Sequence, residues 1–489
     1  MKKSVRKSSA LSDAGRAAPP RPMRGPWHPT CKGTFADTGG DPGHGPGGGA
    51  RRATSRAGFF SPRASPAGPG PHYERGMAER RASRTPPGDG VEARSGPGTQ
   101  LRVLDAVAAV RPEEWDALLA HEPARATPFL RHAFLDAAER SGCAAPATGW
   151  RPRHLTLWRG GRLVAAAPAY ARDRSDGDFG RDWEWAAAAR SAGLRYYPKL
   201  VLGVPFTPAT GRRLLAAAGE ERAACAGAVA EGARSLCRRE GLHSLHVLFP
   251  DAGEAALWEA LGLALRVDFQ YHWRNQGYAG FDDFLARFPS KRRNAIRRER
   301  AAPAAQGISI RTLRGDELRA DPARHAADFH AMHRRTVDRM AWGMRFVGRR
   351  FLELLLRGMP DAVELVEARR EGRLVAAAWN LASAERLYGR YWGCAEDHPF
   401  LHFNVCLYHS VEECIRRGVG AFEGGAGGEH KLSRGFEPAL THSAHEFLDP
   451  RLDAAVRRFL AEEAGQRRAA LDRWREESPV LRPPGAAPR

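Results

Sequence analysis

Lysine is almost missing from this sequence. Of 76 basic residues only seven are lysines, and four of those (Lys2, Lys3, Lys7 and Lys32) fall within the first hundred positions. Asparagine and isoleucine are scarce as well, a pattern of GC-rich coding that supplies arginine wherever either base will do. The body keeps Lys199, Lys291 and Lys431. A compact ammonium and a planar guanidinium are not interchangeable at a tight site, so these three mark candidate positions where arginine does not fit. Paired cysteines are also absent. The seven cysteines are odd in number and include no C-x-x-C, which argues against a disulfide framework and predicts reduced thiols in a cytoplasmic protein. No apolar run approaches the roughly 20 residues that span a bilayer. The opening MKKSVRKSSALSDAG has a charged front with no apolar core behind it, unlike a secretory signal. Met77 offers an alternative start.

What is there is basic and modular. With 489 residues the chain has room for two or three domains, and its net charge is +20. Residues 1–100 hold 17 Lys+Arg against 7 Asp+Glu, half of the excess. That stretch is dominated by Gly, Pro, Ser, Ala and Arg. It cannot bury enough apolar surface to offset its ordering entropy, and a disordered tail is expected over residues 1–98.

The folded body begins near Leu101. LRVLDAV reads as a strand, and Pro112-Glu113-Glu114-Trp115 opens a helix with proline and acids in its first turn. HLTLW meets RLVAAAPAY across Gly160-Gly161, a hairpin signal. VELVEA, a turn at Arg370-Glu371-Gly372, and RLVAAAWNL repeat the device. The heptapeptide GRLVAAA stands verbatim at 161–167 and 372–378. The first copy is followed by YYPKLVLGV, the loop PFTPATG, a helix expected over 212–239, and the strand LHSLHVLF. The second is followed by LYGRYWG, the loop EDHPF, a helix over 401–417 stopped by Gly418, and a strand over 419–423 leading into GGAGG. A shared order of hairpin, strand, helix and strand predicts two copies of one domain, over residues 99–268 and 269–450, with a C-terminal helix and tail over 451–489. Between them SKRRNAIRRER predicts a basic helix over 290–300 with Ser290 as its N-cap. Its Lys291, Arg292, Arg293 and Arg297 are candidates for binding an anion.

This order is the core order of the GNAT acyltransferase fold. Its tandem form resembles the Fem-type ligases, which add amino acids to peptidoglycan precursors from aminoacyl-tRNA. SKRRNAIRRER…GISI is similar to the basic helix those ligases carry before a strand. PFLRHAFLDAAERSG, GLRYYPKLVLGVPFTPATG, LHSLHVLF, YGRYWGCAEDHPFLHF and GEHKLSRGF resemble a bacterial family of N-acyltransferases labelled peptidoglycan biosynthesis/recognition or FemAB-like, over about residues 101–450. The resemblance implies an α+β fold of tandem GNAT-like domains, each a mixed sheet flanked by helices. It implies transfer of an acyl or aminoacyl group to an amine, on a small molecule or a peptidoglycan or other cell-envelope precursor. The donor it implies is acyl-CoA or, as in the Fem ligases, aminoacyl-tRNA. A recognition module without turnover on the same scaffold stays open. One departure stands out: acetyl-CoA enzymes cradle pyrophosphate with a Q/R-x-x-G-x-G/A loop at a helix start, and here those positions read GCAEDHPFLHF and GVPFTPATGRR.

N-acyl transfer needs an acyl carbonyl held by donors and an amine freed of its proton. Glu423, ending a strand before a glycine turn, is the first candidate base, with His430 and His402 as alternates. The alternative for Glu423 is a structural pair with Arg434. Tyr391, Trp392, Glu429, Lys431 and Arg434, with Tyr197 and Lys199 of the first half, are candidate substrate-binding residues. Convergence of Glu423, His430, Lys431, Arg434 and Tyr391 on one cleft is expected. Glu-His-Lys and Asp-His-Pro lack a second ligand at helical spacing, so no metal site is expected.

Overall fold

The computed structural model describes residues 93–94, 98–120, 127–340, 345–477 and 481. Apart from positions 93, 94 and 98, the tail expected over 1–98 lies outside the described residues.

The verbatim repeat builds one device twice. His154–Arg159 pairs with Arg162–Ala167, and Val363–Arg370 with Arg373–Ala382, each as an antiparallel hairpin. The turns hold glycine in the left-handed region, Gly161 at φ 78° and Gly372 at φ 76°. In both hairpins the register slips at the same valine of the repeat. Leu157 faces Ala165 and Trp158 faces Leu163, leaving Val164 over. Likewise Ala368 faces Ala376 and Arg369 faces Leu374, leaving Val375 over. The copies then diverge for a reason written in the chain. Pro168 ends the first strand, and Ala169–Arg172 joins a second sheet. In the other copy AWNLA carries the strand on to Ala382.

Each half continues with two parallel strands joined through a helix, the crossover that parallel pairing requires. In the first half these are Lys199–Leu202, helix Arg222–Glu240 and Ser244–Leu248. In the second they are Arg386–Cys394, a helical run over 401–417 and Ala421–Glu423. Val229, Ala233 and Leu236 pack on Leu245 and Val247, while Leu407, Val411 and Ile415 pack on Phe422 and Phe436. Burial of each large side chain contributes about 1.5–3 kcal/mol.

Three local expectations are corrected. The first helix starts at Arg222, not Arg212, because Arg213 is buried and its guanidinium donates to the carbonyls of Ala209, Arg212 and Leu248. Leu215–Ala216 then adds to the first sheet. In the second half the helix is α over Leu401–Phe403, π over Asn404–Tyr408 and α again over His409–Arg417, ending on left-handed Gly418. Asn404 sits at the change of pitch and donates to the carbonyls of Phe400 and Glu299. The basic helix runs over Ser290–Ala305, with Pro289 rather than Ser290 at its N-cap.

Each half ends in an eleven-residue strand, Ala264–Arg274 and Glu437–Phe447. The two pair with each other from Ala264↔His445 to His272↔Glu437. Each also pairs into the other half: Ala264–Arg274 with Ala421–Glu423, and Glu437–Phe447 with Ser244–Leu248. One eleven-stranded sheet results. The boundary expected between residues 268 and 269 therefore falls inside a strand. No helix among the described residues is long and apolar enough to cross a membrane.

Candidate functional site

In the second half the two parallel strands part early. Pairing covers only Arg386↔Ala421, Leu387↔Phe422 and Tyr388↔Glu423. Beyond it the first strand runs on to Cys394, while the second turns away through Gly424 to Gly428. The parting starts where the chain is bare of side chains: a Cβ on Gly425 would come within 3.2 Å of the Gly389 carbonyl. A register slip follows at once, since Gly389 faces Asn380 and Tyr391 faces Trp379, with Arg390 left over. Arg390 and Tyr391 consequently share the face away from the helical run over 401–417, and Trp392 returns to the helix side.

On that helix side five candidates converge: Trp392, His402, His430, Lys431 and Arg434. The ring of His402 lies 5.1 Å from Trp392 and 6.0 Å from His430. Lys431 is 6% exposed, and its ammonium donates to the carbonyls of Gly425 (2.9 Å) and Gly427 (2.7 Å). No carboxylate reaches it among the described side chains. Burial brings its pKa down to about 8. Burial, with the Lys431 and Arg434 charges behind it, lowers His402 to about 3 and the partly covered ring of His430 to about 4. Both imidazoles are neutral at pH 7. Arg434 stacks on Phe403, 3.3 Å from its centroid, and donates to Glu299 (2.8 Å) and the His430 carbonyl (2.9 Å). The side chain of Glu429 lies outside the described residues.

Glu423 and Tyr391 do not join this group. Strand alternation turns Glu423 to the opposite face, where it is 2% exposed. It accepts from Arg386 (2.8 Å) and from the Thr210 amide (3.3 Å), with His272 at 3.8 Å. Its structural partner is thus Arg386, not Arg434, and its carboxylate is buried. The register slip carries Tyr391 to the same far face, against His333. There a cleft of about 640 Å³ opens between residues 141–150 and 174–176 of the first half and helix Pro322–Asp338 with residues 345–348 of the second.

The first-half candidates are structural. Lys199 is 1% exposed and is held by Asp178 (2.8 Å), Asp182 (2.5 Å) and Ser175 (2.8 Å), and Tyr197 bonds Ser175 (2.7 Å). Of the anion-binding set, Arg292 is turned inward to Glu299 (3.2 Å) and the Ser433 carbonyl (2.5 Å). Arg293 leans on Ser290, Arg297 reaches exposed Asp282, and Lys291 is open to solvent. Through Arg292 the start of the basic helix borders the 429–434 turn. Sequence reasoning missed His333, whose signal was the His-x-x-His spacing of His330 and His333 on an amphipathic helix.

The residues present do not fit the pyrophosphate of acyl-CoA. In the first half the amides that open helix Arg222–Glu240 are already taken, because Glu221 accepts from Ala223 (3.0 Å) and Ala224 (2.5 Å). In the second half Phe400 stands left-handed before Leu401, whose amide bonds the His398 carbonyl. Glu396 and Asp397 flank that turn, paired with Arg373 and Arg339. Carboxylates stand where phosphate would need open amides.

Paired strands that part beside a helix start, built in two halves that exchange their last strands, define a tandem GNAT-type protein. The profile of the family described as FemAB-like, peptidoglycan biosynthesis/recognition, matches residues 106–482, and the chain belongs to that family. Among solved structures it is similar to FemX, at 12% identity and a TM-score of 0.42 over 71% of this chain and 98% of the other. A tandem GNAT protein from the clavulanic acid biosynthesis pathway gives 15%, 0.39, 72% and 99% on the same measures. The C-terminal domain of a putative lysylphosphatidylglycerol synthetase from Agrobacterium fabrum gives 8%, 0.43, 72% and 96%. No curated protein sequence matches the chain.

Proposed function

We propose that this protein transfers an acyl or aminoacyl group to an amine of a peptidoglycan or related cell-envelope precursor, at the parting of Arg386–Cys394 and Ala421–Glu423. The observation that carries the reading is the group on the helix side of that parting: a buried ammonium with no described carboxylate, beside two neutral imidazoles. Acyl transfer builds negative charge on the carbonyl oxygen and then on the leaving atom. A fixed cation in a poorly hydrated site stabilises both. Lys431 takes that role, and Trp392, His402 and His430 form the wall against which the acyl group lies.

The closed helix starts favour an aminoacyl ester donor over acyl-CoA. Lys291 and Arg297 lie on the open side of the basic helix, where the phosphates of an RNA donor would find them. The test supplies purified protein with an amine-bearing peptidoglycan precursor and, in turn, charged tRNA or an acyl-CoA series. Mass spectrometry then reads the acceptor. An aminoacyl mass added from charged tRNA is expected. Addition from acyl-CoA alone would reverse the donor assignment, and binding of the precursor with no addition from any donor would leave a recognition protein.

A further inference from the structure

We propose that His333, bonded to the Trp392 carbonyl in the parted stretch of strand, is the general base of this transfer, and that the cleft it lines holds the body of the acceptor while its amine meets the acyl carbon at the parting. The inference rests on the transferase reading and adds to it the missing proton acceptor and the acceptor's binding site.

The position of His333 is fixed by close backbone packing. A Cβ at Gly393 would stand 2.4 Å from the His333 amide nitrogen and 2.6 Å from the Met332 carbonyl carbon. Only glycine lets helix Pro322–Asp338 approach the strand this closely. That approach puts His333 Nδ1 2.9 Å from the Trp392 carbonyl. A carbonyl can only accept, so Nδ1 carries the proton and the neutral ring keeps its lone pair on Nε2. Nε2 has no partner among the described residues. The ring is held flat on Phe329, centroids 5.7 Å apart and 12° from parallel, and lies 5.6 Å from Tyr391. Burial lowers its pKa from the ordinary value, which keeps the base form populated at pH 7. The charged and titratable groups around it are His330 and Arg334 on its own helix and Tyr391 on the strand. Across the cleft lie Cys143, Arg174, Asp176 and Arg345.

The cleft selects the acceptor's chemistry. Its aromatic wall includes Trp150 and the stacked pair Phe206 and Phe346, 5.5 Å apart. Arg174 and Arg345 are paired with Asp173 and Asp338, whereas Arg334 has no ion pair among the described residues. Asp176 stands opposite as a carboxylate for an ammonium. An amine carried on a peptide that also bears a carboxylate fits this lining. In the step, the amine nitrogen forms its bond to the acyl carbon while Nε2 takes the amine proton. The bond from the acyl carbon to the donor's oxygen or sulfur breaks with its electron pair. The leaving group takes a proton from water, and the imidazolium returns its own to water.

The test uses the full chain, His333→Asn, which keeps an N–H for the Trp392 carbonyl, and Ala147→Trp, which fills the cleft from an exposed position. Binding of the dipeptide lysyl-alanine is followed by calorimetry, and transfer to it from charged tRNA by mass spectrometry across pH 5–9. His333→Asn is expected to bind within about threefold of wild type and to transfer at least ~100-fold more slowly, without the acidic limb of the pH–rate profile. Ala147→Trp is expected to lose both binding and transfer. Wild-type rates and pH profile in His333→Asn overturn the base, and retained binding in Ala147→Trp overturns the cleft, while in both cases the transferase reading stands. Wild-type protein that binds the dipeptide in the cleft and transfers nothing removes the transferase reading and the base with it.

Discussion

Lys431 sits far from the environment of its free side chain, a buried ammonium that donates to the Gly425 and Gly427 carbonyls. Its folded pKa of about 8 lies below the ordinary 10.5. Below pH 8 both folded and unfolded chains carry the proton, and burial of the charge costs the folded state. Between pH 8 and 10.5 the unfolded chain binds the proton that the folded one has released, so stability rises with pH, by up to about 3 kcal/mol. Chemical denaturation of wild type and Lys431→Met at pH 8, 9 and 10 checks this: the rise is expected in the difference between them, and parallel curves would contradict it. The scarcity of lysine marked this position in the sequence. It marked Lys199 equally, and nothing along the chain distinguished a lysine between two aspartates from one among carbonyls. Glu423 misled for a similar reason, since its partners Arg386, Thr210 and His272 come from three separate segments.

Among the elements, the basic helix Ser290–Ala305 is organised by its one buried acid. Glu299 accepts from Arg292 and Arg434 and from the Tyr408 hydroxyl, tying this helix to the π segment and to the 429–434 turn. Glu299→Gln would leave two inward-facing guanidiniums without their counter-charge. A loss of roughly 3–5 kcal/mol is expected in urea unfolding, and a change under 1 kcal/mol would contradict the hub. The hairpins were legible because turn glycines and alternating apolar residues act locally, and the repeat showed that the device occurs twice. The π segment was not, because Asn404 at its start bonds a helix a hundred residues away, a contact that no local pattern reports.

At the scale of the whole molecule, the exchanged strands Ala264–Arg274 and Glu437–Phe447 make one folding unit of two halves. Each half alone would lack the strand that covers its sheet and would expose unpaired backbone. Calorimetry of the full chain is expected to give a single transition, and residues 99–274 expressed alone are expected to stay unfolded. Two separable transitions would contradict the exchange. The order of elements was readable from the sequence, but the exchange was not, since either partner would satisfy the same apolar pattern.

The central claim is that an acyl or aminoacyl group moves to an amine at the parting beside Lys431. Product formation from charged tRNA on an amine-bearing peptidoglycan precursor tests it most directly, read by mass spectrometry for wild type, Lys431→Met and Glu423→Gln. The account expects product from wild type and Glu423→Gln at similar rates and a loss of at least ~100-fold in Lys431→Met. Full activity in Lys431→Met together with loss in Glu423→Gln would make the carboxylate, not the ammonium, the group that carries the transfer and would contradict the account.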